Sequence, residues 1–439
     1  GGPYATMKRK INSLVCLVLG MVFFIPVGVV YKKMGMGIPL FALACLVVAS
    51  GVLFAYRRLW SRHTFDSPKG GAKFAAVVGA SFLFCLYVFN VLYISHKVYQ
   101  SLLSSNDVSF SPTEYAIDDT LGIKHVPLAR TLYRYNIRDN IPSRPVPLAF
   151  DENGFRIPVS ASAVHPGTKK IGLLFLGDSF TFGAACYAEE TFPFLVAKAT
   201  GRSYVNAGVS NYGLAQMLIL AEQLIPALRP EYVIVQYSPW LATRGISMFA
   251  PVNFFLLPIP YFAEKNNTYV VEPPVYNSHL KFRDVAKLKA SYRGKFLQFF
   301  VREALPFSLE ELWNYLKTEW LLISGQRLRP ATHPRNVEKY AFNKIKTITE
   351  QNHATLVILN LGDLEYSKNS RHLFSDATVR FAEADDALDA FLRTSASKDY
   401  CAEFCHWIIA GQQRILIDAH PNPRAHQIIA QSVIQAIGK

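Results

Sequence analysis

The sequence predicts an α/β protein: a parallel sheet covered by helices on both faces, preceded by three membrane-spanning helices. Three observations carry that expectation. The 439 residues are 51% hydrophobic and only 18% charged, an apolar balance that excludes a disordered or tail-like chain. Three long apolar stretches with no charge in their interiors fill most of the first 95 residues. Beyond Lys170, short apolar strands alternate with amphipathic helices, the pattern of repeated βα units.

Gly1-Gly2-Pro3-Tyr4-Ala5-Thr6, ahead of Met7, read as a tag remnant and are set aside. Residues 7–95 form the membrane part, with spans at about 11–31, 36–56 and 74–94. At about 1.5 Å of rise per residue, each can cross a hydrocarbon core of about 30 Å. The first is longer than the roughly 7–15-residue core of a cleaved signal and lacks a small-x-small site, so it is read as retained. Pro26 and Gly28 inside it are tolerable as a mild kink. Three Lys/Arg precede the first span, two sit at Lys32-Lys33 and five lie in the 57–73 loop. By the positive-inside rule the N-terminus and second loop are cytoplasmic, and everything after Ser95 lies on the outer (periplasmic or extracellular) face of the cytoplasmic membrane. Residues 1–95 carry +9 of the net +14, leaving +5 for the other 344. A basic excess that brackets apolar segments is a topology signal rather than a phosphate-binding stripe, so no nucleic-acid partner is expected.

Residues 96–168 read as a stalk and lead-in, since 105–163 are rich in Pro, Asn, Asp and Arg without a clear period. The soluble domain is placed at 169–439. Strands are predicted at Ile171–Leu176, Ser203–Asn206, Tyr232–Gln236, Thr355–Asn360 and Arg414–Ile417. Helices are predicted at about Thr191–Ala199, Leu214–Leu228, Val337–Asn352, Asp376–Leu392 and Arg424–Ile437. An insertion at about 239–335 holds a Pro- and aromatic-rich part (Phe254–Phe262) and a basic, helix-like part (Lys281–Trp320). Roughly a hundred residues exceed an ordinary loop, so a subdomain that shapes a site or rests on the bilayer is expected. Cys16, Cys45 and Cys85 fall inside the apolar stretches, and Cys186 reads as a packing residue. Cys401 and Cys405, four apart, fit either a disulfide or two buried thiols. Asn266-Asn267-Thr268 matches a glycosylation sequon, a triplet that arises often by chance.

In open α/β sheets, reactive groups gather at the carboxyl ends of strands. The first strand runs into Gly177-Asp178-Ser179-Phe180-Thr181-Phe182-Gly183. A serine directly after a buried strand, with a glycine before it and a helix to follow, keeps its hydroxyl at the sheet edge and its N–H free at a helix start, which suits a nucleophile. Asp178 reads as a hydrogen-bonding partner of the turn. Near the chain's end, Asp418-Ala419-His420-Pro421-Asn422 follows the last predicted strand, with Pro421 expected at the first helical position. Asp418 can then hold the imidazole tautomer of His420 while Nε2 faces the serine. Arg424 and His426 are placed on the outer face of the last helix. No metal-ligand spacing, Walker loop or dinucleotide fingerprint appears, and no cofactor is expected.

These blocks, with Val205-Asn206-Ala207-Gly208-Val209-Ser210-Asn211-Tyr212-Gly213 between them, resemble the SGNH (GDSL-type) serine esterase and acyltransferase superfamily over about residues 165–439. The resemblance implies a flavodoxin-like α/β/α domain with Ser179 as nucleophile, His420 as base and Asp418 as its orienter. It implies the backbone N–H groups of Ser179 and Gly208 as oxyanion donors. One block departs: where the family carries Gly-x-Asn-Asp, this chain has Gln236-Tyr237-Ser238-Pro239-Trp240-Leu241, with Trp240 at the position of the donor Asn. Loss of one such donor can slow catalysis roughly 10²–10³-fold. Asn211 or Asn360 would have to substitute, or the site is slow or silent.

The resulting expectation is a membrane-anchored esterase or acyltransferase that acts on O-acyl groups, chiefly O-acetyl, of cell-envelope glycans. As a transferase it would need a partner membrane protein or an outer-face donor to supply acyl groups. Trp240, Phe254, Phe255, Tyr261 and Phe262 are candidates to stack on sugar rings, or equally the insertion's own core. Two other readings stand beside it: a catalytically silent SGNH-like binding or assembly subunit of a membrane complex, and a lipase on membrane lipids.

Overall fold

The computed structural model describes residues 95–96, 99, 115–133, 145–161, 170–252, 255–276, 291–362, 370–374 and 378–438. The three expected spans lie outside the described residues. Among those described, no helix is long and apolar enough to cross a membrane.

From Tyr115 the chain is strand-rich. Strands β1 (Tyr115–Asp118) and β2 (Gly122–His125) form an antiparallel hairpin, and β3 (Arg130–Tyr133), β4 (Val146–Phe150) and β5 (Arg156–Ile157) form a three-stranded antiparallel sheet. The described residues 115–133 and 145–161 of the expected stalk and lead-in are thus built into the domain. Leu121 and Ile123 are buried in the same core as Val205 and Leu174, and the Tyr212 hydroxyl donates to Ile123 O at 2.6 Å. Such pairings are non-local and leave no periodicity in so short a run, which is why the sequence reads as irregular.

The central elements follow: β6 (Leu173–Leu176), α1 (Ser179–Phe182), α2 (Phe192–Thr200), β7 (Tyr204–Asn206), α3 (Leu214–Leu228), β8 (Tyr232–Tyr237) and α4 (Pro239–Gly245). The insertion contributes hairpins β9 (Phe249–Val252) with β10 (Phe255–Pro258) and β11 (Tyr261–Lys265) with β12 (Thr268–Glu272), then α5 (Phe296–Phe299), a π-helical turn, and α6 (Leu305–Ile323). The chain closes with α7 (Pro334–Gln351), β13 (Thr355–Asn360), β14 (Arg380–Glu383), α8 (Ala384–Thr394), α9 (Tyr400–Phe404), β15 (His406–Ala410), β16 (Gln413–Asp418) and α10 (Pro423–Ile437).

Five strands pair in parallel in the order β7-β6-β8-β13-β14. Counted along the chain this is 2-1-3-4-5, the flavodoxin-like order. The inner strands β6 and β8 are apolar almost throughout and buried at every residue, as strands covered on both faces must be. Their pleat divides them between two cores. Leu174, Leu176, Val233, Val235, Leu356 and Ile358 face α3, α7 and the insertion, while Leu173, Phe175, Ile234, Val357 and Leu359 face α2, α8 and α10.

Two assignments change at the C-terminal end. The fifth sheet strand is β14, inside the stretch 376–392 read as helix; its four residues, Arg-Phe-Ala-Glu, do not alternate and run straight into α8, whose helical period dominates the stretch. Arg414–Ile417 is a strand but lies outside the sheet, paired antiparallel with β15. The last helix starts at Pro423, one residue before the predicted Arg424, and Pro423 rather than Pro421 takes its first position: Asn422 is the N-cap, accepting from Ala425 N at 3.1 Å. Tyr261 and Phe262 are fully buried, so these two aromatics belong to the insertion's core and not to a sugar-stacking surface.

Candidate active site

The carboxyl end of β6 turns at Gly177-Asp178 into the single turn of α1, which begins at Ser179. Gly177 cannot be replaced at this density: a Cβ there would lie 2.0 Å from Thr181 Oγ1 and 2.5 Å from Gln236 Oε1. Both ends of α1 are held by charged side chains. At its start, the buried Asp178 carboxylate caps Phe180 N at 3.0 Å, and its other oxygen accepts from Trp240 Nε1 at 2.5 Å and Arg244 Nη1 at 2.8 Å. At its end, the buried Arg156 donates to Phe182 O at 2.8 Å, Gly183 O at 2.5 Å and Cys186 O, satisfying carbonyls that a helix terminus leaves open. From below, Gln236 of β8 accepts from Asp178 N at 3.2 Å and Thr181 Oγ1 at 2.7 Å, and donates to Ser238 Oγ at 2.8 Å.

The loop after β7 packs directly on this turn. A Cβ on Gly208 would lie 2.4 Å from Phe182 N, so only glycine lets the two backbones approach so closely. Val209 N donates to Gly177 O at 3.4 Å, and Arg244 also reaches Tyr212 O at 3.3 Å, tying the loop to the serine turn. The Gly208 N–H itself donates to Asn206 Oδ1 at 3.1 Å.

The Asp418–His420 pair forms as expected. His420 Nδ1 lies 2.6 Å from Asp418 Oδ1, which also accepts from His420 N at 2.8 Å. The His420 ring meets Phe180, the residue after Ser179, edge-on with centroids 5.8 Å apart. Among the described residues no hydrogen bond joins the Ser179 hydroxyl to the imidazole; such bonds are often long in uncomplexed enzymes and tighten with substrate. The loop carrying His420 is tied on both sides. Asn422 Nδ2 donates to Glu403 O at 2.8 Å and Cys405 O at 3.1 Å, while Pro421 O receives His406 Nε2 at 3.2 Å and Cys186 Sγ at 3.5 Å. Burial holds the His406 imidazole below its ordinary pKa, which leaves it neutral with Nε2 carrying the proton it donates.

Other expected residues fall as follows. Trp240 does not take the place of the family's Asn, because its indole N–H is spent on Asp178 and its ring packs edge-on against Phe180 at 5.2 Å. Asn360 is committed to Glu383, its Nδ2 lying 2.5 Å from Oε2, so it is no substitute donor. Asn211 is half-buried in the β7–α3 loop with a left-handed φ of 68°. Arg424 is exposed and pairs with Glu403 at 2.7 Å, whereas His426, expected on the outer face, is completely buried. Its Nδ1 accepts from Phe192 N at 3.2 Å, and burial pushes its pKa down to about 3. Cys186 packs in the interior; Cys401 and Cys405 are free thiols, and burial with the Cys401 thiol beside it pushes Cys405 up to about 12. Sequence reasoning missed Gln236, Arg156, Arg244 and His406. Only Gln236 left a signal, as the single amide in an otherwise apolar run that a two-sided sheet buries.

The chain matches no protein-family model and no curated protein. Among solved structures it is similar to a lipolytic protein of the G-D-S-L family from Desulfitobacterium hafniense DCB-2, at 10% identity over 61% of this chain and 99% of that one, with a TM-score of 0.32. It is also similar to the acetylxylan esterase Axe2 from Geobacillus stearothermophilus (14% identity, 62% and 97%, TM-score 0.31). A third is LAE5, an alpha/beta hydrolase enzyme from the metagenome of Lake Arreo (14% identity, 61% and 94%, TM-score 0.32). The strand order, rather than these distant likenesses, identifies the fold as a flavodoxin-like α/β/α domain. At its edge, one tightly held serine turn lies beside an Asp–His pair.

Proposed function

We propose that the chain is a membrane-anchored serine esterase or O-acyltransferase acting on O-acyl groups of cell-envelope glycans. The observation that carries this reading is the 2.6 Å Asp418–His420 hydrogen bond beside the turn that bears Ser179. With Asp418 on Nδ1, Nε2 is left as the basic nitrogen that takes the Ser179 proton as Oγ attacks the ester carbonyl. The tetrahedral oxyanion meets the Ser179 N–H and, once it releases Asn206, the Gly208 N–H; Asn211, half-buried in the loop after β7, is a candidate side-chain donor. Collapse expels the sugar oxygen, which recovers the proton from His420. The acyl-enzyme then passes its acyl group to water or to a second hydroxyl. The membrane anchor and outer-face location rest on the three apolar stretches and their basic flanks. The glycan substrate rests on the family resemblance together with that location.

A silent binding or assembly subunit is the second reading. It is favoured by the Gly208 and Trp240 N–H groups, both of which are already paired within the fold. A fluorophosphonate probe separates the two. Labelling of the wild type that vanishes in Ser179→Ala supports the enzyme, and absence of labelling in both supports the silent subunit.

A further inference from the structure

Helix α6 presents its apolar side outward. At 3.6 residues per turn, Leu309, Leu312, Trp313, Leu316, Trp320 and Ile323 fall within an arc of about 100°. Amphipathic helices normally turn such a stripe to the core. Here Trp313, Trp320 and Ile323 are 68%, 65% and 69% exposed, while Thr318, directly opposite the stripe, is only 3% exposed. Leu309, Leu312 and Leu316 are exposed as well, as are Leu297 and Val301 in the preceding turns. Side chains of this size make a patch on the order of 600 Å², at the upper end of what a monomer leaves bare.

We infer that α6 is an interfacial helix whose stripe lies in the headgroup region of a bilayer containing anionic phospholipid. This inference rests on the reading of residues 7–95 as membrane-spanning. Three features select lipid over a protein partner. Two tryptophans on the stripe and Tyr315 at its side are the residues that settle at a membrane–water boundary. Residues 293–329 carry six Lys/Arg against four Glu (Glu303, Glu310, Glu311 and Glu319), and with Arg327 paired to Glu272 the cations left for phosphate are Arg293, Lys295 and Arg302 before the stripe, exposed Lys317 at its border and Arg329 after it. Finally, the chain carries three uncharged stretches of about twenty residues ending at Ile94, so a bilayer accompanies this domain without any need for recruitment. A helix of this kind sinks about 5–10 Å below the headgroups while its lysines and arginines reach back to phosphate.

The test uses the full chain in nanodiscs of phosphatidylethanolamine and phosphatidylglycerol with a clickable phosphatidylglycerol tracer. A benzophenone photocrosslinking residue replaces Leu316 or Trp320, with exposed Arg393 on α8 as the control position. About tenfold more tracer adduct at Leu316 and Trp320 than at Arg393 is expected if the stripe lies in the interface. Adducts to a second copy of the chain, or no excess over Arg393, overturn the inference about α6. A chain that falls out of the discs when detergent is removed overturns the spanning reading instead, so the two failures are distinct.

Discussion

The charge cluster around Asp178 makes a quantitative test of how the Ser179 turn is held. Replacing Arg244 with Met keeps an unbranched side chain but removes the cation 2.8 Å from a carboxylate that is 1% exposed. Two unit charges about 4 Å apart at an effective dielectric constant near 20 attract by about 4 kcal/mol. Because the Arg244 side chain is 35% exposed, water screens it, and we expect a net loss of about 2 kcal/mol. Asp178→Asn keeps the cap on Phe180 and cancels the charge Arg244 compensates, so the double variant recovers most of the loss, with a coupling of about 1–2 kcal/mol. Thermal unfolding of the full-length wild type, both single variants and the double variant measures that coupling. The rate of fluorophosphonate labelling reads the same cycle at the site: an uncompensated carboxylate beside a developing oxyanion slows labelling in Arg244→Met by about tenfold to a hundredfold, and Asp178→Asn restores it. Additive single effects, or unchanged labelling in Arg244→Met, would refute the account.

Two further outcomes are expected. Asp418→Asn preserves shape but offers a donor or a weaker acceptor to Nδ1, and labelling should slow by about 10³–10⁴ with little change in Tm; a change under about threefold would remove Asp418 from the relay. His426, with a native pKa of about 3 against an ordinary 6.5, stays neutral in the fold while the unfolded chain takes up a proton. Stability from this group is therefore complete above pH 6.5 and is lost as the pH falls toward 3, by about 1.4 kcal/mol per pH unit. His426→Gln, which retains an acceptor for Phe192 N–H, should flatten the fall in Tm between pH 6.5 and 5; an unchanged slope there assigns it to other groups.

Much of the frame was legible because two-sided burial writes itself into composition. Strands β6, β8 and β13 are almost wholly apolar, and α3 was bounded to the residue by Gly213 and the break after Leu228. Strand β14 was not legible, since Arg380–Glu383 is an edge with too few residues to outvote the helix that follows. The serine turn and the Asp–His pair were legible as local motifs whose members lie within a few residues of one another. Their supports were not. Arg156 reaches α1 from 26 residues away and Arg244 reaches Asp178 across 66, so no window on the sequence contains both partners. Trp240 was read as a departure from the resembled family's pattern, and its contact with Asp178 shows what that side chain does in the fold.

That the last strand lies outside the sheet changes how His420 is held. Had Arg414–Ile417 joined β14, His420 would have been fixed by the ladder that fixes Ser179. Instead Asp418 ends the β15–β16 hairpin, and the His420 loop is held by cross-links to other segments. One, Cys186 Sγ to Pro421 O at 3.5 Å, comes from the same loop whose carbonyl Arg156 grips beyond α1. His406 adds a second bond to the same Pro421 carbonyl, and Ile417 packs on the cluster that contains Phe182 and Ala184. The sheet therefore holds Ser179 directly, and His420 through the β15–β16 hairpin, the Glu403–Cys405 segment and the segment that follows α1. Placement of His420 then depends on the β15–β16 hairpin and on side-chain contacts rather than on the ladder of the parallel sheet. A loosened Cys186 or Arg156 would move His420 relative to Ser179 even with all five strands in place.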